Sequence, residues 1–522
     1  MHETADDPAV HVPGRGRGVA APRSGQTAAM SDVIGGEARA LAPEPVADLD
    51  AYQRAGGGGG LEAAARLGPA ATIDEIDASG LRGRGGAGFP TGRKWRTVAA
   101  YESPTEPTTV VVNAAEGEPG SFKDRMILRR DPFRVLEGAL IAARAVDAGD
   151  VIVAMKRTFT QEAKRVRGAI DQMRAAGWLD GLAVEVFEGP SEYLYGEETG
   201  LLEALDGRPP FPRIAPPYRH GVEELVDSPS DITSDSSSAA HVELATPSDE
   251  TVAPPTLVNN VETMANVAEI VARGADWFRS IGTDDSPGMI VCTITGSTRR
   301  HGVAEVAMGT PLVDVIDAVG GGVEPGRRVA AVMSGVANTL LPGSQLDTPV
   351  SYEGMTAAGT GLGAGGFIVF DDETDLVAVV QGVSRFLAVE SCGQCTPCKQ
   401  DGLALADLLD RLRAGTDARD TVDQITDRVR TVADSARCSL ATQHQLVVDS
   451  LLRLFPDAVA AHAHHGRSSP PVLIAPIVDI EDGRAVLDER HASKQPDWTF
   501  DEVPSGQSPA DRLDEHRAAP AP

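Results

Sequence analysis

The chain has 522 residues, 76 acidic against 47 basic, a formal net charge of −29 and only 4% aromatic residues. Such acidity disfavours nucleic-acid binding, and no uninterrupted apolar run of about 18 residues offers a membrane-crossing helix. Six of the basic residues are lysine and the rest arginine; a GC-rich genome alone explains the arginine bias but not the acid excess, and the two together suggest a halophilic protein, kept hydrated by carboxylates while salt screens their repulsion. No secretory leader is read, so a cytoplasmic, reducing setting is expected.

Residues 1–60 are rich in Gly, Pro, Ala and Arg and include the run Gly56–Gly60. They read as a disordered extension with a hinge or surface loop. Over residues 61–270 strand and helix signals alternate: Thr109–Asn113 and Asp150–Met155 are β-branched runs, and 132–148 and 161–176 read as helices. That alternation predicts an α/β layered domain.

Inside it, Ser79–Trp95 carries five glycines between Gly83 and Gly92, with cations at 82, 84, 93, 94 and 96. Glycines let backbone amides approach a ligand, and amides with cations cradle phosphate. A merely flexible loop is the plainer reading, against which stand its Arg, Lys, Phe and Trp. Asn113–Gly120 follows a strand, Tyr193–Thr199 holds the paired carboxylates Glu197 and Glu198, and Asn259–Thr263 opens a helix. Singly each reads equally well as a cap or turn; with the glycine loop they outline a dinucleotide or flavin pocket.

Residues 222–251 carry eight acids and no Lys or Arg, and read as an exposed insertion. Over 285–355, strands at 289–295, 302–307 and 328–333 with a helix at 311–319 predict a small β-grasp-like domain. A glycine-rich loop, 359–366, and a strand, 367–370, come next. Residues 372–460 then turn helical: Leu405, Leu408, Leu409 and Leu412, and Val422, Ile425, Val429 and Val432, recur at helical spacing. With helices near 374–389 and 443–455 this predicts a four-helix bundle. His462, His464 and His465 read as a solvated helix end, and 467–522 as a polar tail.

Four of the five cysteines form one pattern, Cys392, Cys395 and Cys398 with Cys438 forty residues on. A triplet plus one suits a [4Fe–4S] cluster. Structural zinc also takes four thiolates, more often as two separated pairs. A disulfide is disfavoured in a reducing setting. Cys292, within the apolar run Met289–Ile294, reads as a core residue.

Ser79–Trp95, Asn113–Arg125, Tyr193–Thr199, Arg208–Pro212, Pro255–Thr263 and Ser391–Cys398 occur here in the same order as in the NADH-binding flavoprotein subunit of complex I, which the chain resembles over roughly 61–460. Soluble NAD-linked hydrogenases and formate dehydrogenases carry relatives of that subunit. The resemblance implies a Rossmann-like domain binding FMN and NADH, the β-grasp-like domain, and a helical domain with a [4Fe–4S] cluster on Cys392, Cys395, Cys398 and Cys438. It implies FMN contacts at Gly83, Arg84, Gly85, Gly86, Gly88, Lys94, Asn113, Glu116, Tyr193, Gly196, Val258, Asn259, Asn260 and Thr263. It implies NADH contacts at Phe89, Glu118, Glu198 and Phe211, with Glu197 in the same pocket and Phe211 stacking on adenine. Glu116, Glu118 and Glu198 then support chemistry that belongs to the cofactors, and hydride passes from NADH to FMN. With only Cys292 left over, electrons go on to another subunit, a small [2Fe–2S] thioredoxin-like protein in relatives. The alternatives are an NAD-reducing diaphorase subunit of a hydrogenase or formate dehydrogenase, or a non-catalytic homologue. The chain departs from its relatives at Ala115, where many carry an acid, and at Thr97, where a second aromatic is common. Tyr195 and Gly200 also depart, next to the paired glutamates.

Overall fold

Four parallel strands form the first sheet of this computed structural model, which describes residues 37, 39–101, 107–179, 181–214, 255–416 and 418–518. They are β1 (Thr108–Ala114), β2 (Ala148–Lys156), β3 (Ala183–Gly189) and β4 (Thr256–Asn260), in the order β3-β2-β1-β4. Val111 pairs with Ile152 on one side and Val258 on the other. Both faces are buried: Val110 and Val112 join a core with Leu140, Ile141 and Met264, while Val111 joins Ala154, Tyr195 and Leu201. Continuous β-branched runs are what such two-sided burial demands. The carboxyl ends of β1, β2 and β4 therefore open on one edge, where ligands bind in sheets of this kind.

The second sheet is mixed. Its strands are β5 (Met289–Gly296), β6 (Gly302–Ala307), β7 (Val329–Ser334), β8 (Leu341–Pro342) and β9 (Gly366–Asp371), in the order β6-β5-β9-β7-β8. β5 runs parallel to β9, and the other neighbours are antiparallel. This is a β-grasp arrangement, and it corrects the expected limit at residue 355. The strand after the glycine loop is the central strand of this sheet, a long-range pairing that local pattern does not reveal.

Helices Leu376–Glu390, Thr396–Ala414, Ala418–Thr431 and Leu440–Leu454 form the bundle, with Pro456–Ala463 packed on it. Their shared core includes Val380, Leu405, Leu409, Ile425, Val432, Val447 and Leu451.

Four expectations need correcting. The five-glycine run is not a free hinge: the amides of Gly58 and Leu61 donate to Glu137, at 2.7 and 3.0 Å, and helix Gly59–Leu67 begins within it. Upstream, the amides of Arg39, Ala40 and Leu41 donate to the buried Glu305. Residues 1–36, like the acidic stretch 222–251, lie outside the described residues.

The end of the chain is no loose tail. Hairpin β10 (Ile477–Glu481) and β11 (Arg484–Leu487) buries Ile477 in the first core, and Asp479 pairs with Arg129 at 2.7 Å. Some of its polar residues are tied to distant charges, Asp479 to Arg129 and Lys494 to Glu390, which composition does not reveal. His462 likewise is buried, its Nε2 2.9 Å from Asp375.

Candidate functional site

The glycine loop leads into helix Thr91–Ala100 and is closed at its base. The Gly83 amide donates to the Phe89 carbonyl at 2.8 Å, and the Thr91 amide to Leu81 at 2.9 Å. Between them, the amides of Gly85, Gly86, Ala87 and Gly88 donate to no described residue. Unsatisfied, clustered N–H groups of this kind form an anion cradle, so the loop fits a phosphate-bearing group. Gly88 has φ 64°, and a Cβ there would lie 2.5 Å from the Tyr352 ring. The Tyr352 hydroxyl donates to the Gly83 carbonyl at 2.9 Å.

The Arg84 side chain is not part of that cradle. Its guanidinium is 1% exposed and donates to the carbonyls of Pro287 and Met289, at 3.2 and 3.0 Å. It ties the loop to the second sheet, with its terminal nitrogen turned to those carbonyls rather than to the loop's open face. Its amide donates to Thr263 Oγ1 at 2.9 Å.

At the sheet edge, Asn113 Nδ2 donates to Gly196 O at 2.9 Å. Asn259 accepts from the Trp95 indole at 2.8 Å. Asn260 lies across from Gly85, where a Cβ would stand 3.4 Å from its own, and Val258 is buried beside it on β4. Asn260 Nδ2 also donates to Asp124 at 2.7 Å. Beneath them Lys123 pairs with Asp124 at 2.7 Å and Glu262 at 2.9 Å. Burial opposes that ammonium, but Asp124, Glu262 and Glu116 outweigh burial and hold it charged. Sequence reasoning gave Lys123 and Glu262 no role; charges set inside apolar helical patterns were the available signal.

The carboxylates are already engaged. Glu116 accepts from Ser121 Oγ at 2.6 Å. Glu118 accepts from the Tyr193 hydroxyl at 2.5 Å and the Val336 amide at 2.6 Å. Burial pushes both carboxyls up. Glu197 caps helix Glu198–Leu205 through the Gly200 amide, and Glu198 pairs with Lys94 at 2.8 Å. Ala115 is buried beside Tyr195 and Leu201, so a carboxylate there would be desolvated. Lys156, at the carboxyl end of β2, is buried, and burial lowers its ammonium to about 8.

The two aromatic residues differ in their surroundings. Phe89 is exposed. Phe211 packs against the helical core and meets the Trp498 ring edge-on, at 5.7 Å between centroids. Trp498 was not anticipated as its neighbour.

The cysteines form a second centre. Cys392 lies between the first two bundle helices, Cys395 caps the start of the second, Cys398 sits in that helix's first turn, and Cys438 precedes Leu440–Leu454. All four line one pocket, with Leu194, Pro212, Gln394 and Arg437. None is in a disulfide. Four thiolates lining one pocket are the donor set that a [4Fe–4S] cluster takes. Burial pushes the Cys398 thiol up to about 11 and that of Cys438 higher still, so thiolates there call for bound metal. Cys292 is fully buried in β5.

One short turn, Tyr193–Gly196, touches both centres. Tyr193 bonds Glu118, Gly196 receives Asn113, and Leu194 lines the cysteine pocket.

Residues 76–269 match the family model described as the Nuo51 FMN-binding domain. Residues 378–462 match the NADH-ubiquinone oxidoreductase-F iron-sulfur binding region. The chain is 33% identical over 429 residues to the second F-type subunit of NADH-quinone oxidoreductase in Rhizobium meliloti, covering 80% of this chain and 95% of that protein. It is 34% identical over 431 residues to the F-type subunit of NADH-quinone oxidoreductase in Streptomyces coelicolor, covering 81% and 89%. Among solved structures, an NAD+-reducing [NiFe]-hydrogenase in the H2-reduced state superposes with TM-score 0.67 at 31% identity, covering 80% of this chain and 67% of the other.

Proposed function

This chain belongs to the family of F-type subunits of NADH-quinone oxidoreductase, and from that premise we propose how its residues share the work of an NADH dehydrogenase subunit. It binds FMN and a [4Fe–4S] cluster and works within a larger electron-transfer complex. FMN supplies hydride acceptance from NADH and release of electrons one at a time, and the cluster carries single electrons onward.

The protein's part is positioning and electrostatics. The amides of Gly85–Gly88 hold the FMN phosphate, and Asn113, Asn259, Asn260 and Thr263 fix the floor of the pocket. Lys123 sets a buried positive charge below it. Glu116 is held by Ser121, and Glu118 by Tyr193 and Val336, so both are fixed dipole acceptors rather than mobile bases. Lys94 and Glu198, paired with each other, orient the incoming dinucleotide, and Phe89 offers it an exposed ring. Cys392, Cys395, Cys398 and Cys438 are the cluster ligands. The observation that carries this reading is the turn Tyr193–Gly196, whose neighbouring residues line the nucleotide edge and the cysteine pocket, so that one packed turn would join the two cofactors.

Among the described residues only Cys292, buried in β5, remains beyond the cluster set, so electrons leave to another subunit, which the resemblance to the complex I flavoprotein subunit implies is a small [2Fe–2S] protein. The setting is cytoplasmic and salt-rich, in keeping with the net charge of −29. The similarity to an NAD+-reducing hydrogenase favours one second reading, the same chemistry run toward NAD+ reduction. The reading is tested by assaying FMN-reconstituted protein with NADH and ferricyanide: ferricyanide reduction is expected, and no flavin uptake with no turnover would refute it.

A further inference from the structure

Beyond the second family match, which ends at residue 462, the chain returns to the iron–sulfur loop. Hairpin β10–β11 leads to a turn, Glu489–Ser493, whose exit is fixed on the bundle. Glu390, at the end of helix Leu376–Glu390, accepts from Lys494 Nζ at 2.6 Å and faces His491 Nε2 at 2.8 Å, all three buried. Arg385 donates to the carbonyls of His491, Ala492 and Lys494.

The next residues lie on the cysteine loop itself. Lys399, directly after Cys398, is 6% exposed. Its ammonium donates to Ala388 O at 3.0 Å, Ser391 O at 2.9 Å and Pro496 O at 2.5 Å. Two of these acceptors belong to the chain entering the loop, and the third to the returning segment. The Trp498 indole donates to Val389 O at 3.1 Å. The Ala510 amide donates to Cys392 O at 3.0 Å. Ser508 sits so close that a Cβ on Gly393 would lie 2.2 Å from its hydroxyl.

The segment holds itself together around Asp497, which is 6% exposed and accepts from Thr499, Ser505 and Arg512. It is therefore a folded piece, not a strand lying loose on a surface. The sulfurs differ to match: Cys392 and Cys398, bracketed by these contacts, are buried, whereas Cys395 and Cys438 are half-buried.

We propose that residues 495–512 are a built-in strap over the iron–sulfur loop, pinned through Lys399, that closes the Cys392–Cys398 side of the cluster to water and small oxidants. The proposal rests on the cluster reading above. Lys399 is a positioning residue: its ammonium gathers carbonyls from both sides of the loop and from the strap, so loop and strap hold one geometry. The shell around a cluster sets its solvent access and its potential. Reduction adds negative charge, which water stabilises, so a cluster opened to solvent is easier to reduce and is lost faster in air.

The test uses the reconstituted full-length chain beside a chain ending at Lys494, which keeps the Glu390, His491 and Lys494 contacts. Two point variants, Trp498→Ala and Ala510→Pro, each remove one hydrogen bond to the loop. The shortened chain is expected to bleach its cluster absorbance in air at least ten-fold faster, with an upward shift of midpoint potential and unchanged FMN content. The point variants are expected to bleach several-fold faster at full initial cluster content, and they decide the matter where the shortened chain assembles no cluster. Equal bleaching rates and potentials in all forms would overturn the strap. A full-length chain that takes up FMN but no iron or sulfide would instead overturn the cluster reading.

Discussion

The Tyr193 hydroxyl lies 2.5 Å from a Glu118 carboxylate oxygen, joining the turn beside the cysteine pocket to the loop that follows β1. Burial raises that carboxyl against the pull of Tyr193 and the Val336 and Ala337 amides. Tyr193→Phe leaves Glu118 short of a donor, and a hydrogen bond to a charged group contributes about 1.5–3 kcal/mol. Urea denaturation is expected to show a loss of that size, and a loss below about 0.5 kcal/mol would show the bond to be idle.

Gly88→Ala combines an unfavourable φ of 64° with a contact 2.5 Å from the Tyr352 ring. FMN affinity, read by flavin fluorescence on dilution, is expected to fall at least ten-fold. Adding Tyr352→Leu should recover part of it, because the smaller side chain yields space.

Cys395→Ser is expected to abolish the electron paramagnetic resonance signal of the reduced cluster while FMN stays bound. Cys292→Ser, deep in β5, should leave the signal as it is. A persisting signal in the first variant, or its loss in the second, would reassign the ligands.

His444 is fully buried, 2.6 Å from Ser384 Oγ, and burial lowers its imidazole to about 4. The unfolded chain takes up that proton near the ordinary value of 6.5, so the stability present above pH 6.5 is lost as pH falls toward 4. A shift of about 2.5 units corresponds to on the order of 3 kcal/mol. His444→Leu should remove this part of the acid slope in urea midpoints measured at stepwise pH; identical slopes would contradict it.

With a net charge of −29, lowering salt lengthens the reach of carboxylate repulsion. The midpoint of thermal unfolding is expected to fall by several degrees between molar and millimolar potassium chloride. A midpoint independent of salt would remove the case for a salt-rich setting.

What the sequence showed and what it hid divide along physical lines. The β-branched runs of β1 and β2 and the leucine spacing of Leu405–Leu412 are local patterns, and the structure realises them as buried strands and a bundle helix. The cysteine triplet is equally local, and its distant partner Cys438 was found because thiolates are scarce here. Hidden were features made by long-range pairing: the place of Gly366–Asp371 in the middle of the second sheet, the burial of Arg84 against Met289, and the return of Trp498 to Phe211. The residues after 467 read as polar because Asp479, His491 and Lys494 look solvated in sequence; their partners Arg129 and Glu390 lie some 350 and 100 positions away. Glycines misled in the same way at Gly58–Gly60, whose order comes from Glu137.

The central claim is that NADH electrons pass from a flavin at the sheet edge, across the Tyr193–Gly196 turn, to a cluster on the four cysteines. The most direct measurement is anaerobic addition of NADH to the FMN- and iron–sulfur-reconstituted chain, followed by flavin absorbance and low-temperature electron paramagnetic resonance on the same sample. The account predicts flavin bleaching together with a reduced-cluster signal that Cys395→Ser eliminates. Bleaching with no cluster signal in the unaltered protein, or a cluster signal untouched by that substitution, would contradict it.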